Sequence, residues 1–172
     1  MAVSQERLVV IGLGYVGLPL ALEATRAGMN VTGLDISEAT VAGLNAGRSH
    51  VDDIGDADIA TMRAQGFTAT TDEACLADAD VAVICVPTPL SGDGGPNLAA
   101  VESAAEAVSR YLHPGQLVVL ESTTYPGTTE EVLVPILERS GLRVGTDLHC
   151  AFSPERIDPG NKVFTLRNTP KV

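Results

Sequence analysis

The apolar residues of this chain fall in short unbroken runs that alternate with segments of helical spacing. The first run, Leu-Val-Val-Ile at 8–11, ends at a glycine, as a strand buried on both faces would. The strands predicted in this way are 8–11, 30–34, 67–70, 81–86, 117–120 and 148–152. The predicted helices are 16–27, 37–46, 56–65, 98–111 and 128–139. This alternation predicts a doubly wound α/β fold with a mostly parallel sheet and helices on both faces.

Composition agrees with one packed domain. The chain has 172 residues, of which 45% are hydrophobic and only 3% aromatic, so small aliphatic side chains must build the core. We expect this domain to span residues 1–157. Residues 158–172 show no clear period and are predicted to be a tail that leads to a further region.

Net charge narrows the class of partner. The formal charge of −11 would repel a polyanion, so nucleic-acid binding is not expected. Local basic clusters could still hold a phosphate, so small anionic ligands remain possible. No leader is evident and no run approaches the roughly 20 apolar residues of a membrane helix, so we expect a cytoplasmic protein without a membrane anchor.

Cysteines and histidines give no sign of a metal or redox centre. Cys75, Cys85 and Cys150 lack CxxC spacing and are interpreted as reduced, mostly buried small hydrophobes. The three histidines are scattered along the chain without ligand spacing. We therefore predict that the chain holds no metal.

The clearest motif is a glycine-rich turn. Residues 12–17 read Gly-Leu-Gly-Tyr-Val-Gly, directly after the first strand and at the start of the first helix. In a Rossmann-like fold, Gly12 makes the tight turn, Gly14 lets the backbone approach a pyrophosphate, and Gly17 lets helix and strand pack closely. With Tyr15 and Val16, these glycines are the predicted dinucleotide-binding residues. The alternative is a plain strand-to-helix turn.

An acidic residue lies where this fold binds ribose. Asp35 ends the second strand, roughly 20 residues beyond the glycines, where a carboxylate accepts hydrogen bonds from an adenosine ribose. A carboxylate there would repel a 2′-phosphate, so the predicted cofactor is NAD, not NADP. The alternative is that Asp35 caps the next helix.

These residues resemble a known family. Residues 12–19, Gly-Leu-Gly-Tyr-Val-Gly-Leu-Pro, are similar to the first motif of the UDP-glucose/GDP-mannose dehydrogenase family. Four further segments agree in order: 86–90 (Val-Pro-Thr-Pro-Leu), 121–128 (beginning Glu-Ser-Thr), 153–156 (Ser-Pro-Glu-Arg) and 168–172 (Asn-Thr-Pro-Lys-Val). The chain is thus identified as a member, similar to its N-terminal NAD-binding domain.

The resemblance implies roles for residues at the strand ends. Pro87, Thr88, Ser122 and Thr123 would contact NAD. Thr123 would also hold a water or the reacting oxygen, and Glu155 would act in acid–base or water-activating chemistry. The alternatives are local: the Thr123 hydroxyl could bond its own backbone, and the Glu155 carboxylate could pair with its neighbouring arginine at the surface.

The resemblance also implies a reaction. The family oxidises the 6-hydroxyl of a nucleotide sugar to a carboxylate with two NAD molecules, through a cysteine-bound thioester, and so supplies polysaccharide precursors. The cysteine and its assisting Lys and Asn would lie beyond residue 172, so the fragment alone is expected to be inactive and monomeric, and the full-length protein to be a homo-oligomer. UDP-sugar contacts would come mostly from that missing half.

Two positions depart from the wider family pattern. Many UDP-glucose enzymes carry a second Glu at the position of Pro159. The proline found here is similar to the branch of the family that acts on UDP-N-acetylhexosamines. Thr40 replaces a basic residue that often follows the ribose-binding carboxylate, which puts that adenosine contact in doubt.

Two other classes of protein remain open. One is a stand-alone NAD-binding module that regulates and does not catalyse; it would not need the Thr123 and Glu155 motifs. The other is a β-hydroxyacid dehydrogenase, which does not explain Ser-Pro-Glu-Arg at 153–156.

Overall fold

A six-stranded parallel sheet forms the centre of the domain. The computed structural model describes residues 6–92 and 94–155. The strands are β1 (Arg7–Ile11), β2 (Asn30–Leu34), β3 (Thr68–Thr70), β4 (Val81–Ile84), β5 (Leu117–Leu120) and β6 (His149–Phe152). Their spatial order is β3-β2-β1-β4-β5-β6, and every pair is parallel. All six predicted strands are confirmed, with ends that differ from the predictions by at most two residues.

Helices connect the strands and cover the sheet. They are α1 (Gly17–Arg26), α2 (Glu38–Asn45), α3 (Asp56–Ala64), α4 (Ala99–Tyr111) and α5 (Val134–Leu137). Local chemistry sets several ends: the Ser37 hydroxyl accepts the Thr40 N–H at the start of α2, and Gly28 follows α1 with a φ of 90°. None of the helices in the described part of the chain has the length and apolarity needed to span a bilayer.

Alternation along the strands separates two hydrophobic cores. On β1, Leu8 and Val10 belong to the core that packs under α1, α2 and α3, whereas Val9 and Ile11 belong to the core under α4 and α5. Successive side chains of a strand point to opposite faces, so a strand in the middle of the sheet must be apolar at every position. The predicted doubly wound, Rossmann-like α/β fold is confirmed.

One predicted helix is wrong in type. Residues 128–139 were expected to form a single α-helix, but the chain makes a π-helical turn at Thr129–Leu133, the short helix α5 and a 3-10 turn at Glu138–Ser140. Pro135 has no N–H to donate to the carbonyl four residues earlier, so a regular α-helix cannot run through this point. A second 3-10 turn, at Glu73–Asp78, was not predicted at all.

The strand order fixes where a ligand can bind. From β1 the chain first adds β2 and β3 on one side and later adds β4, β5 and β6 on the other. Connecting segments therefore diverge above the carboxyl ends of β1 and β4, and a crevice opens there. The glycine-rich turn, the end of β2 and the end of β4 all meet at this crevice. Residues 156–172, with the predicted tail, lie outside the described residues.

Candidate functional site

A cleft of about 630 Å³ lies at the carboxyl edge of the sheet. The glycine-rich turn forms its floor, the ends of β2 and β4 form its sides, and one face of α4 closes it. Of the predicted site residues, it is lined by Gly12, Gly14, Tyr15, Val16, Asp35 and Pro87. Residues from three distant parts of the chain thus converge at this edge.

The three glycines of the turn have different structural roles. Gly12 has a φ of +88°, and a Cβ on it would lie 2.6 Å from the Cys85 carbonyl oxygen. A Cβ on Gly17 would lie 1.8 Å from the Gly12 carbonyl oxygen, so α1 can pack this close only without a side chain there. A Cβ on Gly14 would meet nothing within 4 Å, although Gly14 lines the cleft. Gly12 and Gly17 are therefore needed for the backbone to fold in this way, whereas Gly14 keeps the cleft open.

Backbone N–H groups at the start of α1 are available to bind an anion. The N–H groups of Gly14, Tyr15 and Val16 donate to no other backbone group in the described part of the chain. Val16, at the N-cap, supplies no side-chain cap either. Unsatisfied amides and the positive end of the helix dipole together favour a phosphate. Among the described residues that line the cleft there is no Lys or Arg, so main-chain groups must supply this attraction.

Asp35 is fixed by two backbone hydrogen bonds. Its Oδ2 accepts the Leu13 N–H at 2.8 Å, and its Oδ1 accepts the Ser37 N–H at 2.9 Å. One carboxylate thus links the glycine-rich turn to the start of α2. A carboxylate has about four acceptor positions, so two remain for ribose hydroxyls. The cap at α2 itself belongs to Ser37, which makes a pure capping role for Asp35 the weaker interpretation.

Several lining residues were missed by sequence reasoning. Ile36 is fully exposed at the mouth of the cleft, and Thr71 and Glu73 line it from the segment after β3. On α4 the cleft is lined by small residues at helical spacing: Ala100, Ser103, Ala104 and Ala107. This last set had a signal, because small side chains at i, i+3, i+4 and i+7 mark one helix face. The others depend on how separate segments pack.

The strand ends next to the cleft bring the remaining predicted residues together. The Thr88 hydroxyl donates to the Thr123 carbonyl at 2.6 Å, and the Ser122 hydroxyl donates to the Val86 carbonyl at 2.7 Å. Thr123 itself is exposed, and its hydroxyl makes no hydrogen bond within residues 6–92 and 94–155. The alternative that this hydroxyl bonds its own backbone is therefore not what the structure shows. Thr88, Ser122 and Thr123 do not line the cleft itself; they lie beside the ends of β4 and β5.

Glu155 follows the neighbouring strand. The Ser153 N–H donates to the Leu120 carbonyl at 2.9 Å, so the pairing of β6 with β5 continues as far as Ser153. Glu155 is partly buried just beyond it. The arginine that could pair with Glu155, Arg156, and the departure at Pro159 both lie outside the described residues.

The cysteines do not supply a nucleophile. Burial raises the pKa of Cys75 to about 11, with the nearby Asp72 carboxylate adding to the effect, and burial raises the pKa of Cys150 to about 11. Both thiols are thus protonated near neutral pH, and the thiolate is the reactive form. Cys85 is buried under the glycine-rich turn. No group of three or more His, Cys, Asp or Glu side chains that could hold a metal is found in the described ranges.

Comparisons with known proteins agree with this geometry. Residues 6–172 match the UDP-glucose/GDP-mannose dehydrogenase family, NAD binding domain. The chain is 38% identical over 167 residues to a UDP-N-acetyl-D-glucosamine 6-dehydrogenase of Pseudomonas aeruginosa, with 96% of this chain and 39% of that protein covered. It superposes on the UDP-D-ManNAc dehydrogenase of Pyrococcus horikoshii with a TM-score of 0.84 and 39% identity, over 90% of this chain and 37% of that one. A ternary complex of GDP-mannose dehydrogenase from Pseudomonas aeruginosa gives a TM-score of 0.85 at 31% identity, over 89% of this chain and 37% of that one.

The chain belongs to the UDP-glucose/GDP-mannose dehydrogenase family, and it corresponds to the family's NAD-binding domain. The predicted family and the predicted cofactor, NAD, are confirmed. The chain spans about two fifths of the length of the relatives it matches. The open space at Gly14, the undonated amides and the carboxylate at Asp35 fit a dinucleotide: pyrophosphate at the helix start and ribose at the end of β2.

Replacing Gly14 and Gly17 should separate binding from folding. We expect Gly14→Val to fold normally but to lose nearly all NAD affinity in calorimetry, because its side chain would fill the space left for pyrophosphate. Gly17→Ala should instead lower the free energy of unfolding by about 1–3 kcal/mol, since its Cβ meets a backbone carbonyl. Normal NAD binding by Gly14→Val would contradict the assignment of this turn.

Asp35 should determine cofactor choice. The wild-type chain is expected to bind NAD more tightly than NADP, and Asp35→Ala should weaken NAD and reduce the ratio of the two affinities. The ratio is the diagnostic quantity, because Asp35 also holds two backbone amides. Asp80→Ala is the matched control: its carboxylate accepts the Arg7 N–H at 2.7 Å at the opposite edge of the sheet. Equal or tighter binding of NADP by the wild-type chain would overturn the prediction.

Proposed function

We propose that this chain is the cofactor-binding part of an NAD-dependent UDP-sugar 6-dehydrogenase that works in the cytoplasm as a homo-oligomer and supplies a sugar uronate for polysaccharide synthesis. The substrate is a UDP-N-acetylhexosamine, or else UDP-glucose. Relatives named for UDP-N-acetyl-D-glucosamine and UDP-N-acetyl-D-mannosamine, each 38% identical to this chain, support the first choice.

One structural observation carries the proposal. The hydroxyl-bearing ends of β4 and β5 meet directly beside the NAD cleft, where the Thr88 hydroxyl binds the Thr123 carbonyl. This contact leaves the Thr123 side chain exposed next to the position of a bound cofactor. A module that only binds NAD has no need of a polar group there, whereas an enzyme must hold a reacting oxygen at that place.

The chain's own residues would position the reaction. Bound NAD would supply the hydride acceptor for oxidation at the sugar C6. The Thr123 hydroxyl would then hold the oxygen on C6, or a water, by a hydrogen bond. The Glu155 carboxylate, at the end of the adjacent strand, would accept a proton from water during hydrolysis of the enzyme-bound intermediate. The raised thiol pKa values of Cys75 and Cys150 argue that the covalent nucleophile comes from a further part of the enzyme.

The alternative function is an NAD-binding regulatory module without catalysis. One observation favours this alternative: the described residues contain a complete cofactor cleft but no activated thiol. The coding sequence that follows residue 172 separates the two: a continuation bearing a cysteine, with a substrate domain, belongs to the enzyme.

Turnover should require that continuation. The 172-residue chain alone is expected to bind NAD yet to form no NADH with UDP-glucose, UDP-N-acetylglucosamine or UDP-N-acetylmannosamine. Expressed together with the sequence that follows, it should form NADH with at least one of these sugars, followed at 340 nm. An extended protein that binds NAD but oxidises none of the three would favour the regulatory module. NADH formation by the chain alone would mean that its active site is complete.

Glu155 should matter most for hydrolysis. In the active extended protein, we expect Glu155→Gln to slow turnover by roughly a hundred- to ten-thousand-fold, because a neutral amide cannot take the proton from water. A sugar–cysteine adduct should accumulate and be visible by mass spectrometry of the quenched reaction, while NAD affinity stays near the wild-type value. Wild-type turnover, or loss of NAD binding alone, would return Glu155 to a surface role beside Arg156.

A further inference from the structure

A segment between α2 and α3 lies against the glycine-rich turn. Residues 49–54 read Ser-His-Val-Asp-Asp-Ile, and none of them lines the NAD cleft. The His50 Nε2 lies 2.9 Å from the Leu13 carbonyl oxygen, and the Tyr15 hydroxyl lies 3.4 Å from the Asp52 Oδ2. Both contacts reach residues inside the glycine motif, and they come from a segment to which sequence reasoning assigned no role.

This segment is itself firmly held. Val51 and Ile54 are buried in the core beneath α1 and α3, and the Ile54 N–H donates to the Val51 carbonyl. Ser49 adds a hydroxyl bond to the Val51 carbonyl, and its own N–H donates to Asp56. A rigid backbone on either side of His50 makes the imidazole a fixed support for the turn.

The partner of His50 determines which nitrogen carries the proton. A carbonyl oxygen can only accept, so the Nε2 must donate to Leu13. The Nε2 bears a hydrogen both in the matching neutral tautomer and in the imidazolium ion. The hydrogen bond therefore exists in either charge state and needs no protonation event.

Peptide geometry connects this bond to the cofactor. The peptide that joins Leu13 to Gly14 is planar and trans, so its C=O and its N–H point in opposite directions. With the C=O held on His50, outside the cleft, the Gly14 N–H is turned away from residues 49–54. Gly14 lines the cleft, and its N–H has no backbone acceptor among the described residues.

We propose that His50 is a positioning residue for the cofactor: by fixing the Leu13 carbonyl, it aims the Gly14 N–H at the pyrophosphate of NAD. The long Tyr15–Asp52 contact supports the same turn two residues after Leu13 but contributes less, because a 3.4 Å hydrogen bond is weak. The effect falls mainly on the pyrophosphate. Asp35 does accept the Leu13 N–H, but that N–H belongs to the peptide before the one that His50 fixes, and the Ser37 N–H holds the other carboxylate oxygen of Asp35.

The test separates pyrophosphate binding from adenosine binding. We expect His50→Leu to weaken NAD by roughly tenfold in calorimetry, the value of one net hydrogen bond. Adenosine, which lacks the pyrophosphate, should bind both proteins equally in an NMR titration. His50→Gln keeps an N–H donor near the Nε2 position and should restore most of the lost affinity. His50 is exposed, so neither variant should change the thermal midpoint much.

A matched control exists on the same chain. The His113 Nε2 also lies 2.9 Å from a backbone carbonyl, that of Ala79, and His113 does not line the cleft. His113→Leu should leave NAD affinity unchanged. Wild-type NAD affinity in His50→Leu, an equal loss for NAD and adenosine, or an equal loss in His113→Leu would each overturn the proposal.

A second measurement is independent of affinity. Long-range proton–nitrogen correlation spectra of the ligand-free chain should show His50 protonated at Nε2, and the amide signal of Gly14 should shift in His50→Leu. A His50 whose neutral form carries its proton on Nδ1 would refute the hydrogen bond on which the proposal rests.

Discussion

The start of α1 lies so close to the turn that precedes it that no side chain fits at Gly17. A Cβ on Gly17 would come within 1.8 Å of the Gly12 carbonyl, a distance no real side chain can occupy. Because the helix can approach this far, its amino end lies at the floor of the cleft, not above it. Its undonated amides and its dipole then act at the point where the sheet opens. Cofactor binding in this domain follows from that packing.

The net negative charge of the protein works against the binding of an anionic cofactor. A chain with a net charge of −11 has an overall field that opposes an anionic ligand. The cleft adds Asp35 and Glu73 to that field and, among its described lining residues, no Lys or Arg. The peptide dipoles at the start of α1 act on the ligand at contact distance. They must therefore outweigh the repulsion between the ligand and the more distant negative charges, which solvent and salt screen over about 8–10 Å. The geometry of a few peptide groups matters more here than the sign of the surface.

Sequence patterns predicted the sheet well because its strands are buried on both faces. A run such as Leu8 to Ile11 has no polar position, and few other structures require that. The helix predicted at 128–139 is wrong because Pro135 lacks the N–H that a continuous α-helix needs there, although the apolar spacing around it is helical. The 3-10 turn at Glu73–Asp78 has only a local signal, the Asp72 side chain that accepts the Ala74 N–H.

The site was predictable to the extent that it is local in the chain. The glycine motif and Asp35 follow a known spacing, so the floor and one side of the cleft could be located. The wall formed by Thr71 and Glu73, and the support that His50 gives to Leu13, arise only when separate segments pack. Such contacts have no periodicity that a single sequence could display.

Recognition by main-chain groups has a genetic consequence. Every amino acid except proline carries the same N–H, so most substitutions at Tyr15 or Val16 cannot delete the donors themselves. Sensitivity to mutation is displaced onto the residues that set the path of the backbone, such as Gly17. In a population of variant sequences, the positions that tolerate change would therefore include some that touch the ligand, and the intolerant ones would include some that never do.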